Sequence, residues 1–265
     1  NTKCKSSKIM LKDRVVICMK WGTLYSADYV NVLFNACKAN ITGDFRFVCL
    51  TDHAEGLANG VEAFPIPDIG LEQSHWRHGA WPKISVFKQQ LYGLTGRGLF
   101  IDLDTVIWAS LDEFFECEGD FIALDSAPWR YVDSPPRTGT GIFAFDFGKM
   151  GWVVEKLRRQ RDKLINEYKI EQDYLHGELS GIRYWPQEWI KSYKYHLRQP
   201  LLIDRFKGPS QPNRSVKIIC FHGRPRPIDL ICPPQGNWDR FPHYGKGPVP
   251  WMVEYWVNNG GSLQQ

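Results

Sequence analysis

Leu99-Phe100-Ile101-Asp102-Leu103-Asp104-Thr105-Val106-Ile107 is the stretch on which the fold turns. An apolar run delivers two carboxylates one residue apart and then resumes. Such a run predicts a buried strand. Two acids at its end have no cheap structural role, because a buried unpaired carboxylate costs several kcal/mol or more. A cation is expected beside them, and a divalent metal with oxygen ligands suits the pair.

Working outward, the upstream chain alternates strand and helix patterns. Residues 14–19 (Arg-Val-Val-Ile-Cys-Met) read as a first strand, followed by the polar turn Lys20-Trp21-Gly22-Thr23. Asp28 to Cys37 has helical spacing with Asp28 at the N-cap. Phe45 to Leu50 is a second strand ending at Thr51-Asp52, and Pro82 to Tyr92 predicts a helix opened by proline. This alternation predicts a parallel, doubly wound sheet. Ligands of such sheets bind outside the carboxyl ends of the strands, so Thr51-Asp52 and Asp102-Leu103-Asp104 share one rim. Downstream, 119–124, 141–145 and 216–221 read as strands and Gly151 to Lys169 as one charged amphipathic helix. The last 30 or so residues, rich in Pro, Gly and Trp, read as a wrapping tail.

Composition narrows the class. At 265 residues with 43% hydrophobic residues, the chain has ample material for one large α/β domain or two small ones and is not a disordered polymer. No run approaches the roughly 20 apolar residues of a membrane-spanning helix. Asn1 to Lys8 is polar and basic, with no signal peptide visible. Seven cysteines (4, 18, 37, 49, 117, 220, 232) are scattered without CxxC pairing, which fits reduced thiols in a cytoplasmic setting and argues against structural zinc. A net charge of +4 suits an anionic small substrate or an acidic membrane face and is too small to argue for nucleic acid.

The motifs carry the chemistry. Asp102-x-Asp104 can hold Mg²⁺ or Mn²⁺ and leave coordination positions for phosphate oxygens; a solvated acid pair at a strand end is the plainer alternative. His222-Gly223-Arg224-Pro225-Arg226-Pro227 follows the last apolar strand. Its imidazole suits Mn²⁺, its glycine permits close backbone approach, and Arg224 and Arg226 can clamp phosphates; alone it would pass for a basic turn. Lys83, at the start of a helix near the rim, reads as a phosphate or ribose contact or as a surface lysine. Trp21 and Tyr25 either stack a base or pack in the core. Glu171-Gln172-Asp173 reads as a helix cap or as part of the site.

These residues together resemble a known family. Pro82-Lys83-Ile84-Ser85-Val86-Phe87, then Phe100 to Phe115 with its Asp-x-Asp and Leu111-Asp112-Glu113-Phe114-Phe115, is similar to the central block of glycosyltransferase family 8. The similarity continues in order through Thr140-Gly141-Ile142-Phe143, Glu171-Gln172 and the His222–Pro227 turn, covering roughly residues 14–230. The resemblance implies a GT-A nucleotide-sugar transferase fold, a Rossmann-like mixed sheet flanked by helices in a single domain. That domain would span 1–240, with a nucleotide-binding half at about 14–107, an acceptor half at about 108–240 and a tail at 241–265. It also implies Mn²⁺ (or Mg²⁺) dependence and a nucleotide-sugar donor, usually UDP-linked, transferred with retention. Asp102, Asp104 and His222 would hold the metal. Lys83, Gly223, Arg224 and Arg226 would face the diphosphate or ribose. Lys20, Trp21, Tyr25, Thr51 and Asp52 would hold the base and ribose. Glu171, Gln172, Asp173 and Asp125 would stand near the sugar and the acceptor. Here His222 stands directly before Gly223 instead of three residues ahead, Gly139 replaces the family's Asn, and Arg226 replaces its Lys.

The acceptor expected from the resemblance is a glycan, a cell-surface polysaccharide or lipopolysaccharide; separately, an aromatic, basic surface suits peripheral docking at the inner face of a membrane that carries a lipid-linked acceptor. Two rival readings stand beside this one. Asp102-Leu103-Asp104-Thr105-Val106 also resembles the nucleophile motif of haloacid-dehalogenase-type phosphatases. Asp120 and Asp125 would be that family's later acids, but they follow too soon for the intervening βα units. The same acids also suit a nucleotide- or glycan-binding module without turnover.

Overall fold

The computed structural model describes residues 13–129, 135–233, 236–239 and 241–263. Asn1–Lys8 with Cys4, and residues 130–134 of the expected acceptor loop, lie outside the described residues.

The first half is built as the strand pattern requires. β1 (Arg14–Lys20) leads to α1 (Ala27–Asn40), β2 (Arg46–Thr51), β3 (Glu62–Phe64) and the short α2 (Gln73–Arg77). β4 (Arg97–Ile101) and β5 (Thr105–Ile107) flank the two acids, and α3 (Asp112–Glu116) follows. β1 pairs in parallel with both β2 and β4, and β2 with β3. Val16 and Cys18 of β1 enter one apolar core and Val15, Ile17 and Met19 the other. Burial on both faces is why these strands are continuous apolar runs.

The second half turns the sheet from parallel to mixed. β6 (Phe121–Asp125) and β7 (Thr138–Asp146) are followed by α4 (Gly151–Arg159), α5 (Arg161–Tyr168), α6 (Glu171–Glu178) and β8 (Arg183–Tyr184). β7 runs antiparallel to β4 and β6, giving the order β3-β2-β1-β4-β7-β6-β8. β9 (Ile190–Ser192) and β10 (Ile218–Cys220) join β5 in a second, three-stranded sheet. α7 (Pro227–Ile231) and α8 (Pro250–Asn258) complete the chain. The mixed sheet flanked by helices is the architecture expected; parallel pairing runs through β1–β4 and recurs between β6 and β8, and β7 makes the sheet mixed.

Several local expectations are corrected. α1 starts after Ser26, so Asp28 lies in its first turn, where its carboxylate accepts the Ser262 N–H. The helix expected over 82–92 is a 3-10 segment, Trp81–Phe87. Every residue of it is buried, so tertiary packing, not an amphipathic face, sets its backbone. The charged helix over 151–169 is two helices broken at Gln160. Arg158 to Lys163 offers nothing apolar to bury, and the core-facing stripe resumes only at Leu164. The tail contains α8, whose Met252, Tyr255 and Trp256 are buried; the Ile107 N–H donates to the Tyr255 hydroxyl at 3.1 Å. This helix is therefore core, not wrapping. The six described cysteines are free thiols.

Candidate active site

β4 ends one residue before Asp102, and the Asp102 N–H donates to the Gly141 carbonyl of β7 at 2.9 Å, which fixes where the strand delivers its acid. Lys83 reaches the same point from the buried 3-10 segment. Its ammonium lies 2.7 Å from Asp102 Oδ2, 3.7 Å from Glu171 Oε1 and 3.4 Å from the Thr140 carbonyl. Glu171 opens α6; its N–H donates to the Gly79 carbonyl and its carboxylate accepts the Thr140 hydroxyl. Gly79 has φ +80°, and a Cβ there would meet the Lys169 carbonyl at 2.6 Å. Only glycine permits that close crossing of the two segments that bring Lys83 and Glu171 together.

Electrostatics at this point is lopsided. One ammonium faces Asp102 and Glu171, and a third carboxylate, Asp104, stands close behind. Burial works against the Lys83 charge, but Asp102 and Glu171 outweigh it and hold its pKa above the ordinary lysine value. Burial pushes Asp102 and Glu171 up despite the lysine. Asp104 is pushed up to about 7, by burial first and then by Asp102. Its Oδ2 accepts the Tyr25 hydroxyl at 3.2 Å, and its carbonyl accepts the Phe221 N–H at 3.1 Å. Carboxylates in excess over nearby cations are a donor set for a hard divalent ion. Asp102 keeps 28% of its side-chain surface exposed, so the cluster opens to solvent.

It opens into a cleft of about 770 Å³. Lys83, Asp102, Glu171, Gln172 and His222 all line it, so residues from four separate stretches meet there. The His222 Nε2 lies 2.8 Å from Ser192 Oγ, and its ring is roughly parallel to those of Trp129 and Tyr195. Among the described residues, no three His, Cys, Asp or Glu side chains stand close enough together to hold a metal ion. Asp102 and Asp104 are a two-carboxylate set, and the described partner of the His222 ring is Ser192.

The remaining expected residues are distributed around this centre. Asp52 accepts the Gly22 N–H at 2.9 Å, closing the loop after β1 onto the end of β2. Thr51 caps the same end through His53, and the buried Lys20 reaches the His53 carbonyl at 3.4 Å. Trp21 donates to the Trp76 carbonyl at 3.1 Å. Arg226 donates to the Leu24 carbonyl at 3.3 Å, which joins the turn after β10 to the loop carrying Tyr25. Gly223 takes a left-handed φ of +71°, and Arg224 beside it is exposed. These residues form a rim beside the cleft and do not line it. Asp125 caps its own turn by accepting the Ala127 and Arg137 N–H groups, and Asp173 faces Arg137 at 3.9 Å. Neither carboxylate lines the cleft.

The sequence reading missed Thr140 as the partner of Glu171, and Tyr195 on the cleft wall. Thr140 lay inside a quoted motif and was legible. Tyr195 carried no signal, because it sits in a π-turn, Tyr193–Leu197, with no pattern of its own.

The fold is of the GT-A kind, a mixed sheet flanked by helices. The galactosyltransferase LgtC, solved with donor and acceptor sugar analogues, superposes with a TM-score of 0.58 at 14% identity over 95% of this chain and 96% of that one. The apo glycosyltransferase GlyE of Streptococcus pneumoniae TIGR4 gives 0.57 at 14% identity, over 95% of this chain and 61% of that one. The bifunctional glycosyltransferase WbbM gives 0.55 at 12% identity, over 96% of this chain and 50% of that one. At such identities the likeness is one of fold. No protein-family model matches the sequence, and no curated protein matches it.

Proposed function

We propose that the protein is a metal-dependent glycosyltransferase that moves a sugar from a nucleotide-sugar donor, UDP-linked, to a glycan or lipid-linked acceptor with retention. The observation that carries the reading is the cluster of Lys83, Asp102 and Glu171 at the mouth of the cleft. It lies at a strand end in a fold shared with a galactosyltransferase solved with donor and acceptor analogues.

Asp102 and Asp104 would hold Mn²⁺ or Mg²⁺, which supplies positive charge to a diphosphate as it leaves. Lys83 adds a fixed cation beside that position, held in place by Asp102, Glu171 and Thr140 instead of by solvent. Arg224 and Arg226 border the same rim and offer guanidinium groups to phosphate. Asp52 and the loop of Trp21 and Tyr25 bound the space for base and ribose. Glu171 is occupied with Thr140 and Lys83, so its role is to hold the lysine; Gln172, the next residue, lines the cleft. No strong general base is required, since a departing phosphate oxygen can take the acceptor proton. Trp129, Tyr195 and His222 form the opposite, aromatic wall, suited to an acceptor sugar.

The test is nucleotide release from a panel of UDP- and GDP-sugars with Mn²⁺. Metal-dependent release that disappears in Asp104→Ala supports transfer. Phosphate release from phosphomonoesters alone would sink it in favour of phosphatase chemistry, and tight binding without release at any acceptor in favour of a binding module.

A further inference from the structure

Half of the exposed large apolar side chains among the described residues crowd into two short segments far from the sheet rim. Leu201, Leu202, Ile203 and Phe206 lie on one, Phe241 and Tyr244 on the other; Phe206 is 92% exposed and Phe241 79%. The segments are bound to each other. His243 Nδ1 lies 2.7 Å from the Asp204 carboxylate, and the Arg205 guanidinium sits 5.8 Å from the Tyr244 ring centroid. Leu202 has φ +74°, a left-handed backbone costly for a leucine, and its side chain stands in solvent. A glycine or asparagine would relieve that turn, so an exposed leucine is kept there against the local backbone preference.

Charge on this surface has one sign. The chain presents Arg205, Lys207, Arg214 and Lys246 as exposed side chains in and beside the two segments. The described acids there are turned inward: Asp204 is fully buried against His243, and Asp239 is 6% exposed and paired with Arg198 at 3.2 Å. A patch of bulky apolar tips ringed only by bases matches a surface with an apolar interior and an anionic face.

We propose that Leu201–Lys207 and Phe241–Lys246 form a membrane-docking surface, whose apolar tips enter the interface of a bilayer while Arg205, Lys207 and Lys246 face anionic headgroups. No helix among the described residues is long and apolar enough to cross a membrane, so the contact is peripheral. Only Arg198, Gln199 and Pro200 separate the π-turn that carries Tyr195 on the cleft wall from Leu201, which ties the docked surface in sequence to the aromatic side of the cleft. Resting on the proposed transfer reaction in this respect alone, the surface specifies an acceptor carried by a lipid.

The experiment is co-sedimentation of the full chain with phosphatidylcholine vesicles made with and without phosphatidylglycerol. Binding is expected to need the anionic lipid, to weaken as salt rises, and to fall roughly tenfold in Leu202→Ser/Phe206→Ser and again in Arg205→Glu/Lys207→Glu. Thermal melts confirm that each variant folds. Nucleotide release with a water-soluble acceptor or water is expected to be unchanged in these variants, so a loss of vesicle binding is read separately from transfer. Wild-type binding no greater with anionic lipid than without it overturns the proposal. So does a concentration-dependent dimer that Phe206→Ser abolishes while vesicles stay unbound.

Discussion

The rim at the ends of β1, β2 and β4 and the aromatic wall of Trp129, Tyr195 and His222 are held in opposite ways. On the rim, polar side chains are tied by hydrogen bonds to backbone groups nearby: Asp52 to Gly22 and Thr51 to His53. Parallel pairing buried on both faces stiffens their supports. The opposite wall hangs on a three-stranded sheet, a π-turn and an aromatic cluster, and leads into exposed apolar turns. A preorganised rim suits the part of a substrate whose charge changes during reaction. A wall assembled from loops and aromatic faces suits the part that differs from one acceptor to another.

The strongest way to break this division is at the carboxylates. Asp104→Ala should lower metal-dependent nucleotide release by about a thousandfold or more while the fold survives. Lys83→Met should cost about a hundredfold, since it removes the one ammonium beside Asp102. Release that persists at the wild-type rate in Asp104→Ala would place the reaction elsewhere.

The next effect is on stability and belongs to the wall's foundation. Met252 is fully buried under β5, and Met252→Ala should cost about 2–4 kcal/mol, lowering Tm by roughly 5–10 °C. Tyr255→Phe would leave the buried Ile107 N–H unpaired and cost about 1–3 kcal/mol. Both should leave the donor KM unchanged. If either raised the donor KM, the C-terminal helix would belong to the rim as well.

Those residues mark where sequence reading reached its limit. Strands β1, β2 and β4, the Asp102–Asp104 pair and Lys83 were legible, because apolar runs and charged interruptions are local signals. The architecture of a mixed sheet followed from ordered motifs more than from periodicity. Illegible were the 3-10 backbone of 81–87 and the burial of α8, both imposed by partners distant in sequence. His222 was a reasonable metal ligand by composition, yet its Ser192 partner comes from β9, which no pattern links to it. The turn that carries Asp125 shows the same limit from the other side. Its acid looked chemical and is spent on capping two N–H groups.

A smaller effect follows from the pKa of Asp104. Burial and Asp102 push it up to about 7, against about 3.9 for an aspartate in an unfolded chain. Between those values the unfolded chain loses its proton before the fold does. The group therefore favours unfolding increasingly as pH rises from about 4 to about 7, and the penalty stays in place above that. Chelator-treated Asp104→Asn should melt a few degrees above wild type near pH 8 and level with it near pH 4. A stability gain that is larger in acid would contradict the assignment.

The smallest effect separates the two sides most cleanly. Trp129 and Tyr195 line the cleft, and one aromatic contact is worth about 0.5–1.5 kcal/mol. Tyr195→Ala and Trp129→Ala should therefore raise the acceptor KM only about three- to tenfold. Slow hydrolysis of the donor by water, which needs no acceptor, should stay at its wild-type rate in both. Variants of Lys83 or Asp102 must instead depress hydrolysis and transfer together, because both begin with the same departing diphosphate. Should Tyr195→Ala cut hydrolysis as deeply as transfer, the aromatic wall would be touching the donor, and the cleft would have to be read with its two sides exchanged.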